Sequence, residues 1–320
     1  MTQIALGVAI SQMKQEIKEK CPFKLEVEAV NDDIEESIID DDRDSNAVYK
    51  EQKNNGGTLG DNLISGGQGT KGSTLNPPSK AEPEHRQDKH GGFAVRVKAS
   101  NNIKEDTFPI VNAAHHIIPG NASLKASKLK DYMTKGKTVT VKLVNGEEKK
   151  WKVKEHIGYN INGAHNGVWL AASYAIRKGK TPVKETWSTV ANTNPDWCVN
   201  YIAAATKACG SQFHDTHEPY SENVTEYLDK LAFALEAHQK TCDLCKNSLK
   251  DIAPPYLVKE RLYNFSRVTK GRIQGPPNSW KIRWITTSKW ESKIFTGRGS
   301  LKKEFLDAYN STSTERIILL

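Results

Sequence analysis

The chain has little of what would mark a secreted or membrane-bound protein. Its 320 residues include five cysteines, an odd number scattered from Cys21 to Cys245, which makes no disulfide framework and suits a reducing compartment. No apolar run approaches the ~18 residues of a membrane span, so no membrane insertion is expected. Met1 to Ile10 lacks a basic leading segment and a cleavage site, so no secretory signal is expected there. Tryptophan is missing from the first 150 residues, and no internal repeat is visible. Two metal-enzyme signatures are also missing. There is no His-x-Glu ahead of a Pro-Cys-x-x-Cys, as a zinc deaminase needs, and no His-Glu-x-x-His of a zincin protease.

Charge is abundant but unevenly placed. Residues 1–61 carry 7 Lys/Arg against 14 Asp/Glu, whereas residues 62–320 carry 39 against 24. Hydrophobic residues make up 37% of the chain and the mean hydropathy is −0.63, polar for a length that can still bury a sizeable core. The basic, tryptophan-bearing portion is the one suited to nucleic acid, because Lys and Arg gain affinity by releasing counterions from phosphates. We divide the chain into an acidic segment over 1–53, with its densest cluster at Asp32 to Asp44, a linker over 54–92, and a folded domain over 93–320. The linker is rich in Gly, Ser, Asn and Pro and has too few apolar residues to offset its ordering entropy.

Within the folded part, Phe93 to Lys98 alternates as a strand does. Residues 138–154 form two alternating runs around Asn145-Gly146, a dipeptide favoured in type I′ hairpins. Ala122 to Met133 and residues 197–209 are predicted helical, the second ended by Gly210. Ser221 to His238 sets Val224, Tyr227, Leu228, Leu231 and Leu235 on one helical face, with Asp215 and Glu218 as a capping box upstream. Residues 14–30 have the spacing of a short helix or strand, and Pro276 to Phe295 that of one or two basic strands. The fold class expected is α+β.

Three segments carry chemistry. Ile110-Val-Asn-Ala-Ala-His-His-Ile-Ile-Pro119 reads as a short strand with adjacent histidines, whose side chains must point to opposite faces. Gly158-Tyr-Asn-Ile-Asn-Gly-Ala-His-Asn-Gly-Val-Trp-Leu170 and Phe213-His-Asp-Thr-His-Glu-Pro-Tyr220 follow. In that order they resemble the Ala-His-His branch of the HNH endonuclease superfamily over roughly residues 108 to 240. The branch is known mainly as toxin domains of bacterial polymorphic and type VI secretion systems.

The resemblance implies a ββα-metal nuclease centre, hairpin plus helix, embedded in a larger mixed shell, with an insertion between Asn166 and His217. It implies His115 as metal ligand and His116 as general base, with the two exchangeable. Asn166 would orient the base or complete the metal shell, although Asn-Gly alone equally marks a turn. His217 and then His214, three residues apart and on one face if helical, would complete the site. His165 is left unexplained. One divalent ion is implied, with Mg, Mn, Zn and Ni not distinguished by the sequence. The partners implied are DNA or RNA, a cognate immunity protein and a secretion carrier. Synthesis in a bacterial cytoplasm and delivery into a target cell would follow. The competing reading is a basic nucleic-acid-binding or adaptor protein with structural histidines. Cys242-Asp-Leu-Cys245 is half a zinc site; His238, Cys198 and Cys209 are the candidates for a second half, and two buried thiols are the alternative.

Overall fold

The computed structural model describes residues 21–23, 55–65, 94–100, 103–176, 185–247 and 251–312. The acidic cluster, Phe93 and most of the segment 14–30 lie outside the described residues. In chain order the elements are α1 (Gly56–Ser65), β1 (Ala94–Val97), β2 (Asp106–Pro109), β3 (Val111–His116), α2 (Leu129–Met133), β4 (Thr138–Lys142) and β5 (Glu148–Val153). They continue with β6 (Gly167–Ala172), α3 (Trp187–Thr193), α4 (Pro195–Cys209), β7 (Phe213–His214), α5 (Glu218–Thr241) and α6 (Asp243–Asn247). The chain ends through β8 (Asp251–Ile252), α7 (Tyr256–Ile273), α8 (Glu291–Ile294) and α9 (Lys303–Ser311). The class is α+β, as expected.

These residues pack as two compact units. The first comprises Asn55–Ile117, Asn162–Ser221 and Ser266–Leu320. Its core surrounds α4, where Trp197, Tyr201 and Ile202 pack with Val95 and Val97 of β1, Phe108 of β2, and Phe213. The boundaries of α4 follow from its sequence. Pro195 sits in the first turn, where its missing N–H is harmless, and Gly210 ends the helix at φ 62°, its N–H bonded to Thr206 O. The sheet β3-β6-β7 lies in the same unit: β3 is antiparallel to β6 with His115 opposite Val168 and His116 opposite Gly167, and β7 is parallel to β6. The insertion expected between Asn166 and His217 contains α3 and α4.

Helix α1 falls inside the stretch whose composition marked a linker. Average composition hides Leu59 and Leu63, spaced i, i+4 and both fully buried against Trp169. Asn55 caps the helix, its Oδ1 accepting from the N–H groups of Gly57 at 3.0 Å and Thr58 at 3.1 Å. The approach depends on Gly167, where a Cβ would stand 2.7 Å from Leu59 Cδ1 and 3.0 Å from Leu63. Gly167 itself is extended, with φ −125°. The Asn166-Gly167 pair is therefore no hairpin turn; the glycine is there to let a helix lie on the strand.

The second unit holds Ile118–Ile161, Glu222–Phe265 and the described residues of Met1–Asn54. Its sheet is β4-β5-β8, with Val139, Val141, Trp151 and Val153 buried and Lys142, Lys150, Lys152 and Lys154 exposed. The β4–β5 hairpin forms as expected, with a longer turn. Leu143 N bonds Glu147 O, Gly146 N bonds Leu143 O, and Gly146 has φ 86°, the pattern of a three-residue loop with a bulge glycine rather than a two-residue I′ turn. Ala122 to Met133 is broken into a π turn, Gly120–Leu124, and α2. Ser127 makes the break, its Oγ donating to Asp229 at 2.8 Å and accepting from Leu129 N.

Pro276 to Phe295 does not form the expected strands. It is three 3-10 turns followed by α8. The alternation from Trp280 to Trp284 is answered by local bonds, Trp284 N to Lys281 O and Ile285 N to Ile282 O, while Trp280, Ile285 and Trp290 join the core of the first unit.

Gly167→Ala is expected to lower stability by about 1–3 kcal/mol through overpacking, read as a reduced urea midpoint with an unchanged slope. A neutral result would show that α1 does not need that contact.

Candidate metal centre

The site is assembled on β3, β7 and the residue just ahead of α5. Strand alternation sends His115 and His116 to opposite sides, and both are buried, at 2% and 6% exposure. His115 meets His214 and His217. The ring centroids are 5.1 Å apart for His115 and His214, 5.0 Å for His115 and His217, and 5.3 Å for His214 and His217. One nitrogen from each lies within 4.8 Å of the others.

The histidine pair downstream reaches this point by a route other than a shared helical face. His214 ends strand β7, whereas His217 stands just ahead of α5 and its carbonyl accepts from Ser221 N at 3.1 Å. Nor does Asp215 form a capping box. Its Oδ2 accepts the indole N–H groups of Trp187 at 3.1 Å and Trp290 at 3.0 Å, and its Oδ1 accepts from Thr216 N. Those bonds fix the two-residue loop between His214 and His217. Ser221 Oγ lies 3.3 Å from His217 Nδ1, which leaves Nε2 as the nitrogen free of that contact. Tyr220 closes the cluster: its ring stands 5.3 Å from that of His115, and its hydroxyl donates to Ile117 O at 2.6 Å.

Electrostatics keep these imidazoles neutral. His115 is held well below the usual histidine range by burial first, then by the neighbouring His217, His214 and His116. His214 is pushed down to about 3, again chiefly by burial, and burial also lowers His217. A neutral imidazole offers the lone pair a metal requires. His115 Nε2 is buried with no hydrogen-bond partner among the described residues, an unmet demand that a cation at the centre of the three rings would satisfy. The residues thus fit one divalent ion held by His115, His214 and His217.

His116 has different company. Its Nε2 lies 2.8 Å from Asn162 Oδ1. The backbone N–H of Asn55 also reaches that oxygen, at 3.1 Å, and because a backbone N–H only donates, the amide oxygen is correctly placed there. His116 Nε2 therefore carries the proton, and Nδ1 carries the lone pair. Burial lowers the pKa of His116, and the Asn162 bond partly offsets this.

Asn162 is a partner of His116 that the sequence pattern does not single out. The sequence holds two Asn-Gly dipeptides four residues apart, Asn162-Gly163 and Asn166-Gly167, and nothing in the pattern separates them. Asn166 Oδ1 accepts from Ser266 at 3.3 Å, and its carbonyl accepts from Ile117 N at 2.8 Å. Asn166 is fully buried and joins the end of β3 to the start of β6. His165 is half-buried and outside the three-histidine cluster.

Residues 98–254 match the AHH nucleases. That family is described as a nuclease family of the HNH/ENDO VII superfamily with conserved AHH, and the motif falls on Ala114-His115-His116. No curated protein and no solved structure matches the chain. The match points to nuclease activity, and the antiparallel pair β3 and β6 followed by the first turn of α5 is consistent with a ββα centre.

Manganese binding tests the cluster, since hard Mn²⁺ is a poor guest for thiolates elsewhere in the chain. His217→Ala should abolish binding in an electron paramagnetic resonance titration, and Ser221→Ala should weaken it by about 10- to 100-fold. Undiminished binding in His217→Ala would refute the assignment.

Proposed function

We propose that this protein is a metal-dependent endonuclease acting on DNA, with His115, His214 and His217 as ligands, His116 as general base and Asn162 as its positioning residue. The single observation carrying this reading is the division of the adjacent histidines. One imidazole joins two others around a shared point, and the next in sequence is hydrogen-bonded through Nε2 with Nδ1 left to accept a proton.

Phosphodiester hydrolysis needs a deprotonated water, charge neutralisation at the phosphate and help for the departing oxygen. A bound divalent ion supplies the last two as a Lewis acid. The protein supplies the first. Asn162 Oδ1 holds the Nε2–H of His116, which fixes ring and tautomer together, so that Nδ1 can take the proton of an attacking water. Burial disfavours the imidazolium of His116 and so preserves the base form near neutrality. Asn166 supports the scaffold instead, through Ile117 and Ser266.

DNA as substrate is supported by the excess of 39 Lys/Arg over 24 Asp/Glu in residues 62–320 and by the exposed lysines of the β4–β5 hairpin and its end, which offer phosphate contacts without base selectivity. An antibacterial effector role, with an immunity protein, a secretion carrier and delivery into a target cytoplasm, rests on the resemblance of the three motifs to toxin domains. A purely binding role leaves the convergence of three neutral imidazoles without purpose.

Plasmid cleavage by the full chain is expected with Mg²⁺ or Mn²⁺ and not with EDTA. His116→Ala should reduce kcat by about 100- to 10,000-fold while leaving Mn²⁺ affinity unchanged, and Asn162→Ala should lower kcat in the same direction by a smaller factor. Cleavage by His116→Ala at the parental rate would eliminate the proposed base. No cleavage of DNA or RNA with any divalent ion would eliminate the nuclease reading.

A further inference from the structure

A second cluster of metal-binding side chains lies in the other unit and owes nothing to the AHH residues. Cys21, His238, Cys242 and Cys245 each bring one ligand atom within 4.8 Å of the rest. Their origin in sequence is instructive. His238 is in the last turn of α5, and Cys242 follows one turn later, its N–H bonded to His238 O at 2.9 Å. Cys245 lies in α6, three residues beyond Cys242. Cys21 comes from the far end of the chain, 224 residues before Cys245. Of the candidate partners for the Cys242/Cys245 pair, His238 joins the cluster, and Cys198 and Cys209 do not. They are buried in α4, where burial pushes each thiol up to about 12, and Cys209 contacts Asn112 Oδ1 at 3.3 Å.

We propose that Cys21, His238, Cys242 and Cys245 form a structural Cys₃His zinc site that staples the N-terminal segment to the end of α5. Four observations support this. The Sγ atoms of Cys21 and Cys245 are 3.8 Å apart, and two thiolates about 2.3 Å from one tetrahedral zinc stand about 3.8 Å from each other. All five cysteines are free of disulfides. His238 Nε2 is buried with no hydrogen-bond partner among the described residues. The surroundings also fix the ligands: Phe23 stacks on Tyr132 at 6.0 Å and tilts against His238 at 6.4 Å, Tyr132 donates to Gln239 at 2.9 Å, and Lys149 Nζ donates to the carbonyls of Cys245 and Lys246. Three thiolates and one neutral imidazole leave the site with one net negative charge, and Lys149 places a cation beside it.

The set is closed in the way structural zinc sites are closed: four protein ligands and no position left for water or substrate. It contrasts with the three-histidine cluster, which has nitrogen donors only. Closing a loop of more than two hundred residues through one ion would tie residue 21 to the end of α5, beside the packing that Phe23 already makes there.

The test uses the full chain carrying His115→Ala, His214→Ala and His217→Ala, so that no metal at the other cluster is counted. Purified under reducing conditions and dialysed against EDTA, it should retain about one zinc per chain. Adding Cys242→Ser and Cys245→Ser should reduce this to none and lower the melting temperature. Zinc retained at the same level in that variant overturns the proposal. Should the variant fail to fold, wild-type protein refolded with Co²⁺ decides: thiolate-to-cobalt charge-transfer absorption is expected. Its absence, or recovery of a Cys21–Cys245 disulfide in place of metal, overturns the proposal. Nuclease activity is not a readout, so failure here leaves the nuclease reading untouched.

Discussion

The alternation of side chains along β3 is the constraint on which the site depends. Two adjacent histidines on a helix or in a loop could share one environment, but on a paired strand they cannot. Pairing with β6 locks this in, because His115 opposite Val168 and His116 opposite Gly167 leaves no freedom to slip by one residue without exchanging the two rings. The end of the strand is then tied down by a short relay: Ile117 N donates to Asn166 O, and Tyr220 donates to Ile117 O. One residue of β3's extension thus fixes both the start of β6 and the first turn of α5.

Around this frame the two faces have opposite chemistry. On one, burial disfavours the protonated form of His115, His214 and His217, reinforced at the first two by the neighbouring rings, and unmatched lone pairs there are costly. On the other, a single amide sets the tautomer of His116. That amide is also bonded to Asn55, the capping residue of α1, so the helix whose leucines rest on Gly167 helps position the candidate base. A helix hidden in a stretch of linker-like composition therefore belongs to the same constellation as the site.

The sequence disclosed the parts with strong local periodicity or a rigid rule behind them. The strand with its paired histidines, the hairpin over 138–154, α4 with its terminal Gly210 and the amphipathic face of α5 all follow from patterns of period two or 3.6. What it withheld needed tertiary knowledge. Asn162 and Asn166 each precede a glycine, and only the fold decides which one faces His116. Asp215 has the spacing of a cap, but two indoles separated from it by tens of residues claim its carboxylate. The tryptophans from Trp280 to Trp290 alternate with cations as a strand would, yet they serve the core through tight turns. Cys21 could not have been paired with Cys242 and Cys245 at all, since the separation in sequence gives no cue.

Anomalous diffraction from crystals of the full chain soaked in Mn²⁺ tests the division of the histidine pair most directly. The account predicts a peak bonded to nitrogens of His115, His214 and His217, with His116 outside the coordination sphere and still bonded to Asn162. A peak bonded to His116, or no peak among the three rings, would contradict it.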